Sequence, residues 1–237
     1  MFALFLAFYA RAGGRDAKAR ASDADLSRAI EIVRGVPDLR RGLVFTPDKA
    51  PDPFVEYPPP PQLAFQLYFD AIAPLEAAAG RKGALMALAE PGALPTVDKS
   101  GAEQQAMLAR PFPVPDPVFR TPAGGFPCSD IIHYPGKAED LNAWLGFYFE
   151  SHVPLMRRLP GLRELELYTR IDWVSALPWP KAEYMQRNKV VFDDADAATA
   201  ALQSPIRAEM RADFLSFPKF TEGNRHNPMQ TREVVRR

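Results

Sequence analysis

The sequence predicts an α+β protein made of two β-α-β-β-α-β halves in tandem, and three observations carry that reading. Short alternating apolar runs take turns with longer stretches whose apolar residues recur every three or four positions, the periods of half-buried strands and of one-sided helices. A pattern in the first half returns 123 residues later: "RGVPDLRRGLVF" (34–45) lies over "RRLPGLRELELY" (157–168), and Phe69-Asp70 over Phe192-Asp193. Two separate segments at one shift point to an internal duplication. Between them "RPFPVPDPVFRTPAGGFP" (110–127) is rich in prolines, which have no amide to give a sheet, so it reads as an extended connector.

In the first half the predicted strands are Phe2–Ala10, Arg40–Thr46, Gln62–Asp70 and Gln104–Arg110, with helices at Ser22–Gly35 and Ala71–Leu88. The opening "MFALFLAFYA" is apolar like an export signal, but no basic residue precedes its apolar part and it is far shorter than the roughly 20 residues of a spanning helix. Its Phe, Leu and Tyr content suits a buried strand. "SDAD" offers the first helix an N-cap. In the second half the strands are Asp130–Tyr134, Leu162–Trp173, Tyr184–Asp193 and Gln230–Arg236, and the helices Ala138–Leu159 and Ala195–Phe214, the latter opened by capping aspartates and filled with alanine. This order is the split β-α-β, or ferredoxin-like, arrangement: a four-stranded antiparallel sheet with both helices on one face. The bare face needs a cover. Two halves packed sheet to sheet as an α/β barrel supply it, with halves at 1–110 and 128–237 and the connector at 111–127; a homodimer of whole chains meets the same need.

The totals narrow the function. With 237 residues, 47% of them hydrophobic, the chain can build a packed core. Lys plus Arg equals Asp plus Glu at 29 each, and only the terminal "TREVVRR" is locally basic, which argues against nucleic acid or an anionic membrane as partner. A single Cys128 cannot make an internal disulfide, as suits the cytoplasm. "RAGGRDAKAR" (11–20) lacks the spacing of a nucleotide-binding glycine loop.

The helix over 138–159 holds the main candidate. Leu141, Trp144, Leu145, Tyr148, His152, Leu155, Met156 and Leu159 form one stripe facing a core, so His152 points inward. Pro154 lacks an amide hydrogen and crowds the carbonyl of Glu150, which predicts a bend beside the inward imidazole and, with it, a hole. Pro160-Gly161 should end the helix.

"HYPG" (133–136), "ESHVPLMRRLPGL" (150–162), "FDDADAATAALQSP" (192–205) and "FPKFTEGNRHNPMQTREVV" (217–235) resemble the EthD-like members of the dimeric α/β-barrel superfamily over about a hundred residues of the second half. The first half resembles them only in topology and by the repeat. It carries Ala29 where the second carries His152, which suggests one working and one structural half. The resemblance implies the barrel fold and a ligand site between a sheet and its own helices. Activities in the superfamily span cyclisation, isomerisation, lyase chemistry, cofactor-free oxygenation and haem chemistry, so fold alone does not choose.

Against this background His152 reads either as a core histidine bonded to a nearby carbonyl or as a general acid or base, since imidazole both takes and returns protons near neutrality. His133 shares a strand face with Ile131, opposite Ile132 and Tyr134; if that face looks toward the helices, it meets His152. Tyr168 lies with Glu164, Glu166 and Arg170, a set that suits a salt-bridged face between the halves or a phenol aimed at a developing oxyanion. Asn188, Trp144, Tyr148, Trp173, Trp179 and His226 are candidates for substrate binding: Trp173 and Trp179, flanked by prolines, give a flat surface for stacking on a ligand or for packing against the other half, Trp144 and Tyr148 read as core or as pocket wall, and His226 reads as a loop residue at the pocket mouth. The three histidines are widely spaced and no Cys-x-x-Cys exists, so no metal is expected, and no cofactor is. The expected function is a cofactor-independent lyase or isomerase acting by histidine acid-base chemistry on a small aromatic or carbonyl compound, in catabolism. Its rivals are a cofactor-free monooxygenase, a haem-binding barrel and a non-catalytic ligand-binding or assembly module.

Overall fold

The alternating runs become eight strands in the computed structural model, which describes residues 1–10 and 20–237. They are β1 (Phe2–Tyr9), β2 (Arg41–Pro47), β3 (Leu63–Phe69), β4 (Gly101–Phe112), β5 (Cys128–Tyr134), β6 (Glu164–Arg170), β7 (Gln186–Phe192) and β8 (Arg225–Arg236). All pair antiparallel in the order β1-β3-β2-β8-β5-β7-β6-β4, and β4 returns to β1 to close a barrel. The first four strands run β4-β1-β3-β2 and the last four β8-β5-β7-β6, joined edge to edge by β2 on β8 and β4 on β6. The repeat reaches the register itself. Arg41 opposes Tyr68, and 123 residues on Glu164 opposes Val191.

Closing the barrel removes every free edge and gives each strand two buried faces. One face lines the interior, where Phe5, Phe45, Tyr68, Met107, Tyr168 and Met229 pack together. The other packs under helices, in two separate apolar clusters, one for each half. The interior also holds charge. Lys189, with no exposed side-chain surface, lies 2.7 Å from Glu164 and 2.9 Å from Glu166, while Arg41 of the first half grips Glu164 with both terminal nitrogens. Tyr68 and Tyr168 both donate to Glu166. The polar face around Tyr168 is thus a network of ion pairs across the seam of the halves.

The helices are α1 (Asp23–Arg34), α2 (Ile72–Ala78), α3 (Leu141–Phe147), α4 (Val153–Met156), α5 (Ala195–Leu202) and α6 (Ile206–Leu215). Three of the predicted helices break. The one expected over 71–88 stops at Ala78 and resumes as a tight turn over Ala84–Leu88; a Cβ at Gly83 would stand 2.1 Å from the Ala78 carbonyl oxygen, so only glycine permits that return. Pro205 divides the one expected over 195–214. The helix over 138–159 begins later, with Asp140 capping the Ala143 amide, and widens between Tyr148 and His152 into a π-turn before α4. A π-turn is the form the expected bend takes, because it skips the hydrogen bond that Pro154 cannot donate. Strands also outrun prediction: β4 continues through Phe112, taking Pro111 and Phe112 from the connector, and β8 starts at Arg225, which puts His226 in a strand instead of a loop. The "RAGGRDAKAR" stretch lies, Arg20 apart, outside the described residues. Among these, no helix is long and apolar enough to cross a membrane.

Candidate active site

The space between β5, β7 and the helices of the second half is where strand parity sends polar residues into an apolar layer. On β5, Ser129, Ile131 and His133 face the barrel interior, so Asp130, Ile132 and Tyr134 face the helices. On β7 the same parity turns Asn188 and Val190 outward, and on β8 it turns out His226, directly opposite Ile132. Across from them stand Tyr148, His152 and Met156 from the broken helix, and Arg207, Met210 and Phe214 from α6. The cavity among them measures about 40 Å³. That is room for two or three waters.

His152 is buried, and its Nδ1 lies 2.7 Å from Oδ2 of Asp213 on α6. The carboxylate accepts from Nδ1–H, which leaves Nε2 as the nitrogen with a free lone pair. Ser151 donates to the other oxygen of Asp213, so both carboxylate oxygens are engaged. Burial lowers the His152 pKa and Asp213 pulls it back up; burial wins, and the ring is a neutral acceptor at pH 7. Tyr148 and Phe217 pack on it, with ring centroids 4.9 and 5.2 Å away. The carbonyl at Glu150 is not its partner; a carboxylate from another helix is.

A second pair faces the same cavity. His226 Nδ1 lies 2.7 Å from Asp130 Oδ2, and the other Asp130 oxygen accepts from the Asn227 amide at 3.1 Å. Beside both pairs Asn188 donates through Nδ2 to the Tyr148 hydroxyl at 2.6 Å, while its Oδ1, buried, has no partner among the described residues. An orphaned buried acceptor is costly and marks a place for a donor.

The roof comes from the other half. The proline-rich segment after β2 crosses the seam, and its Asp52, with no exposed side-chain surface, holds Arg207 at 2.5 Å, while the Arg207 guanidinium lies 5.4 Å from the Phe54 ring centre. Outside this strap a groove of about 610 Å³ runs past Tyr57, Pro58 and Pro60, and His226 lines both groove and cavity.

Several expected partners of His152 lie elsewhere. His133 points into the barrel, where its Nδ1 is 3.2 Å from Arg187 and its ring stacks on Tyr184; burial, and then Arg187, hold its pKa well below the usual imidazole value. Tyr168 is tied to Glu166 inside the same barrel, also beyond the cavity. The sheet therefore separates both residues from His152. Trp144 packs behind Tyr148, among Tyr134, Phe217 and Phe220, as core. Trp173 and Trp179 sit over the first half, Trp179 edge-on to Phe8 at 4.9 Å. Asn188, Tyr148 and His226 do share the cavity with His152. Asp213, Asp130 and Arg207 are site residues that sequence reading missed. The phase of α6 was the available signal, with Arg207, Met210 and Asp213 at steps of three once Pro205 restarts the helix.

No family model and no curated protein matches the chain. Among solved structures, an anthrone oxidase-like protein aligns with 98% of this chain and 93% of its own, at 11% identity and a TM-score of 0.59. A provisionally named monooxygenase from Fusobacterium nucleatum aligns with 97% of this chain and 91% of its own, at 8% identity and a TM-score of 0.54. The likeness is one of fold. An EthD family protein from Bacillus halodurans aligns with 45% of this chain and 97% of its own, at 21% identity and a TM-score of 0.34. The whole-chain neighbours share the closed α+β barrel, and at such identities they say nothing of which residues act.

Proposed function

We propose that the protein is a cofactor-independent enzyme whose first step is proton removal from a small aromatic or carbonyl compound by His152. The observation that carries this is the His152–Asp213 pair at 2.7 Å beside a cavity that the unpartnered Asn188 also lines. Asp213 orients the ring and stabilises the imidazolium that forms, while Nε2 takes the proton. Asn188 accepts from a substrate hydroxyl or enol. The anion left behind then moves a proton, closes a ring or expels a fragment, as a lyase or isomerase requires. Since the cavity of about 40 Å³ is smaller than a benzene-sized guest, the strap lifts to admit the ring from the groove outside. The space as it stands holds neither such a ring nor a porphyrin, and no step through haem is derived.

The repeated strand order supports a chain of two ferredoxin-like halves, 1–110 and 128–237, the second an EthD-like working half and the first a structural half that roofs it. A second reading, cofactor-free oxygenation, draws support from the whole-chain fold shared with an anthrone oxidase-like protein. Both readings begin with the same deprotonation. The test is turnover of a panel of phenols and β-dicarbonyl compounds in an oxygen electrode cell. The wild type should convert at least one member, and His152→Ala should lower that rate by about 10²- to 10⁴-fold with folding intact. Oxygen uptake in step with turnover selects the oxygenase; turnover without it selects the lyase or isomerase; undiminished rates in His152→Ala remove His152 from the chemistry.

A further inference from the structure

A base enclosed this tightly has to exchange its proton with water. Phe217 and Tyr148 cover the ring of His152, and Asp213 occupies Nδ1, so protons reach or leave it through Nε2 and the cavity. Among the side chains that line the cavity, Arg207 and Arg211 offer donors and no acceptor for a proton. Tyr134 and Tyr148 are phenols whose pKa burial pushes up, Tyr134 to about 12, so they hold their protons. Asp130 is engaged by His226 and the Asn227 amide. His226 differs from all of these: its imidazole has one nitrogen that donates and one that accepts, and it belongs to the wall of both the 40 Å³ cavity and the 610 Å³ groove.

We infer that His226, held by Asp130, is the proton relay between His152 and the water of the groove. This deepens the proposed function and rests on its reading of His152 as the group that takes protons. Asp130 accepts from Nδ1–H at 2.7 Å, so the lone pair lies on Nε2, where it accepts from Asn224 Nδ2 at 3.2 Å, a long bond that a cavity water displaces during the transfer. A proton on His152 Nε2 passes to a cavity water as that water gives one of its own to His226 Nε2. His226, its positive charge balanced by Asp130, then gives its Nε2 proton to a water that enters from the groove, while Nδ1–H stays on Asp130. Only N–H and O–H bonds form and break, and no electrons are exchanged. The cavity that both residues line has room for two or three waters, enough for such a bridge. His226 is thus a relay residue, distinct from the base.

The relay can be measured without a substrate. In the full chain labelled with ¹⁵N-histidine, exchange of the His152 Nδ1 proton with water requires a new proton to arrive at Nε2, so its rate reports the path. His226→Gln keeps a donor toward Asp130 but cannot carry a proton, and should slow this exchange about a hundredfold. Asp130→Asn removes the carboxylate that steadies the charged relay and should slow it by about tenfold or more. Phe54→Ala, which thins the strap and leaves both histidines, should not slow it. Unchanged exchange in either folded relay variant overturns the proposal. Because no substrate is involved, that failure leaves His152 as base untouched, and an inactive base leaves the exchange rates readable.

Discussion

The two helix-to-sheet spaces of this barrel occupy equivalent places and differ in what roofs them. Each is covered by the loop that crosses from the opposite half. Over the first half the loop after β6 brings Leu177 and Trp179, which complete an apolar cluster with Phe8, Phe65 and Ala29. Over the second half the loop after β2 brings prolines, Phe54 and one buried ion pair, above His152, Asn188 and two carboxylates. A plug of tryptophan makes one slot core; a strap of prolines leaves the other hollow. The two halves of the barrel thus differ most in what covers their helix-to-sheet space.

The contrast can be broken from either side. Trp179→Ala should cost about 3–5 kcal/mol in urea unfolding, the range for truncating a large buried ring. Phe54→Ala in the opposite strap, at a side chain 42% exposed, should cost under about 1 kcal/mol. Equal losses would mean that the strap is as much core as the plug. Arg207→Met strands the Asp52 carboxylate inside the protein and should cost about 3 kcal/mol, with faster hydrogen exchange in the strap as the added sign that the roof has come loose. Ala29→His places a histidine at the position 123 residues before His152, where the slot is full; overpacking of about 1–3 kcal/mol is expected.

The smallest effect is one of pH. Burial lowers the pKa of both His133 and His152, so below their unfolded value of about 6.5 the folded chain binds fewer protons than the unfolded chain. Stability is therefore full above about pH 6.5 and drains as pH falls toward the folded pKa values. His133→Gln should flatten that slope in chemical denaturation between pH 7 and 5, by removing one of the two groups. A slope unchanged by the substitution would mean that His133 does not resist protonation in the barrel.

Much of this was legible beforehand. The 123-residue repeat holds in the strand register, and the stripe on which His152 lies does face a core. Parity paired His133 correctly with Ile131 against Ile132, but parity cannot say which face of a sheet looks at helices and which into a barrel. That ambiguity misassigned His133 and Tyr168 as neighbours of His152. His226, read as a loop, had no parity at all until β8 took it in. The partners of His152 and His226 escaped notice for another reason: Asp213 is 61 residues from its histidine and Asp130 is 96 from its own, separations at which only tertiary contact relates two residues.

What local chemistry controls, the sequence by itself determined: the periods of helix and strand, the doubled order of elements, the break at Pro154 and the inward turn of His152. Which residues share an enclosure was decided only by the closed barrel. Its seams carry each cover loop onto the opposite half and its wall divides the polar residues between two faces, and neither effect exists until strands far apart in the chain have paired.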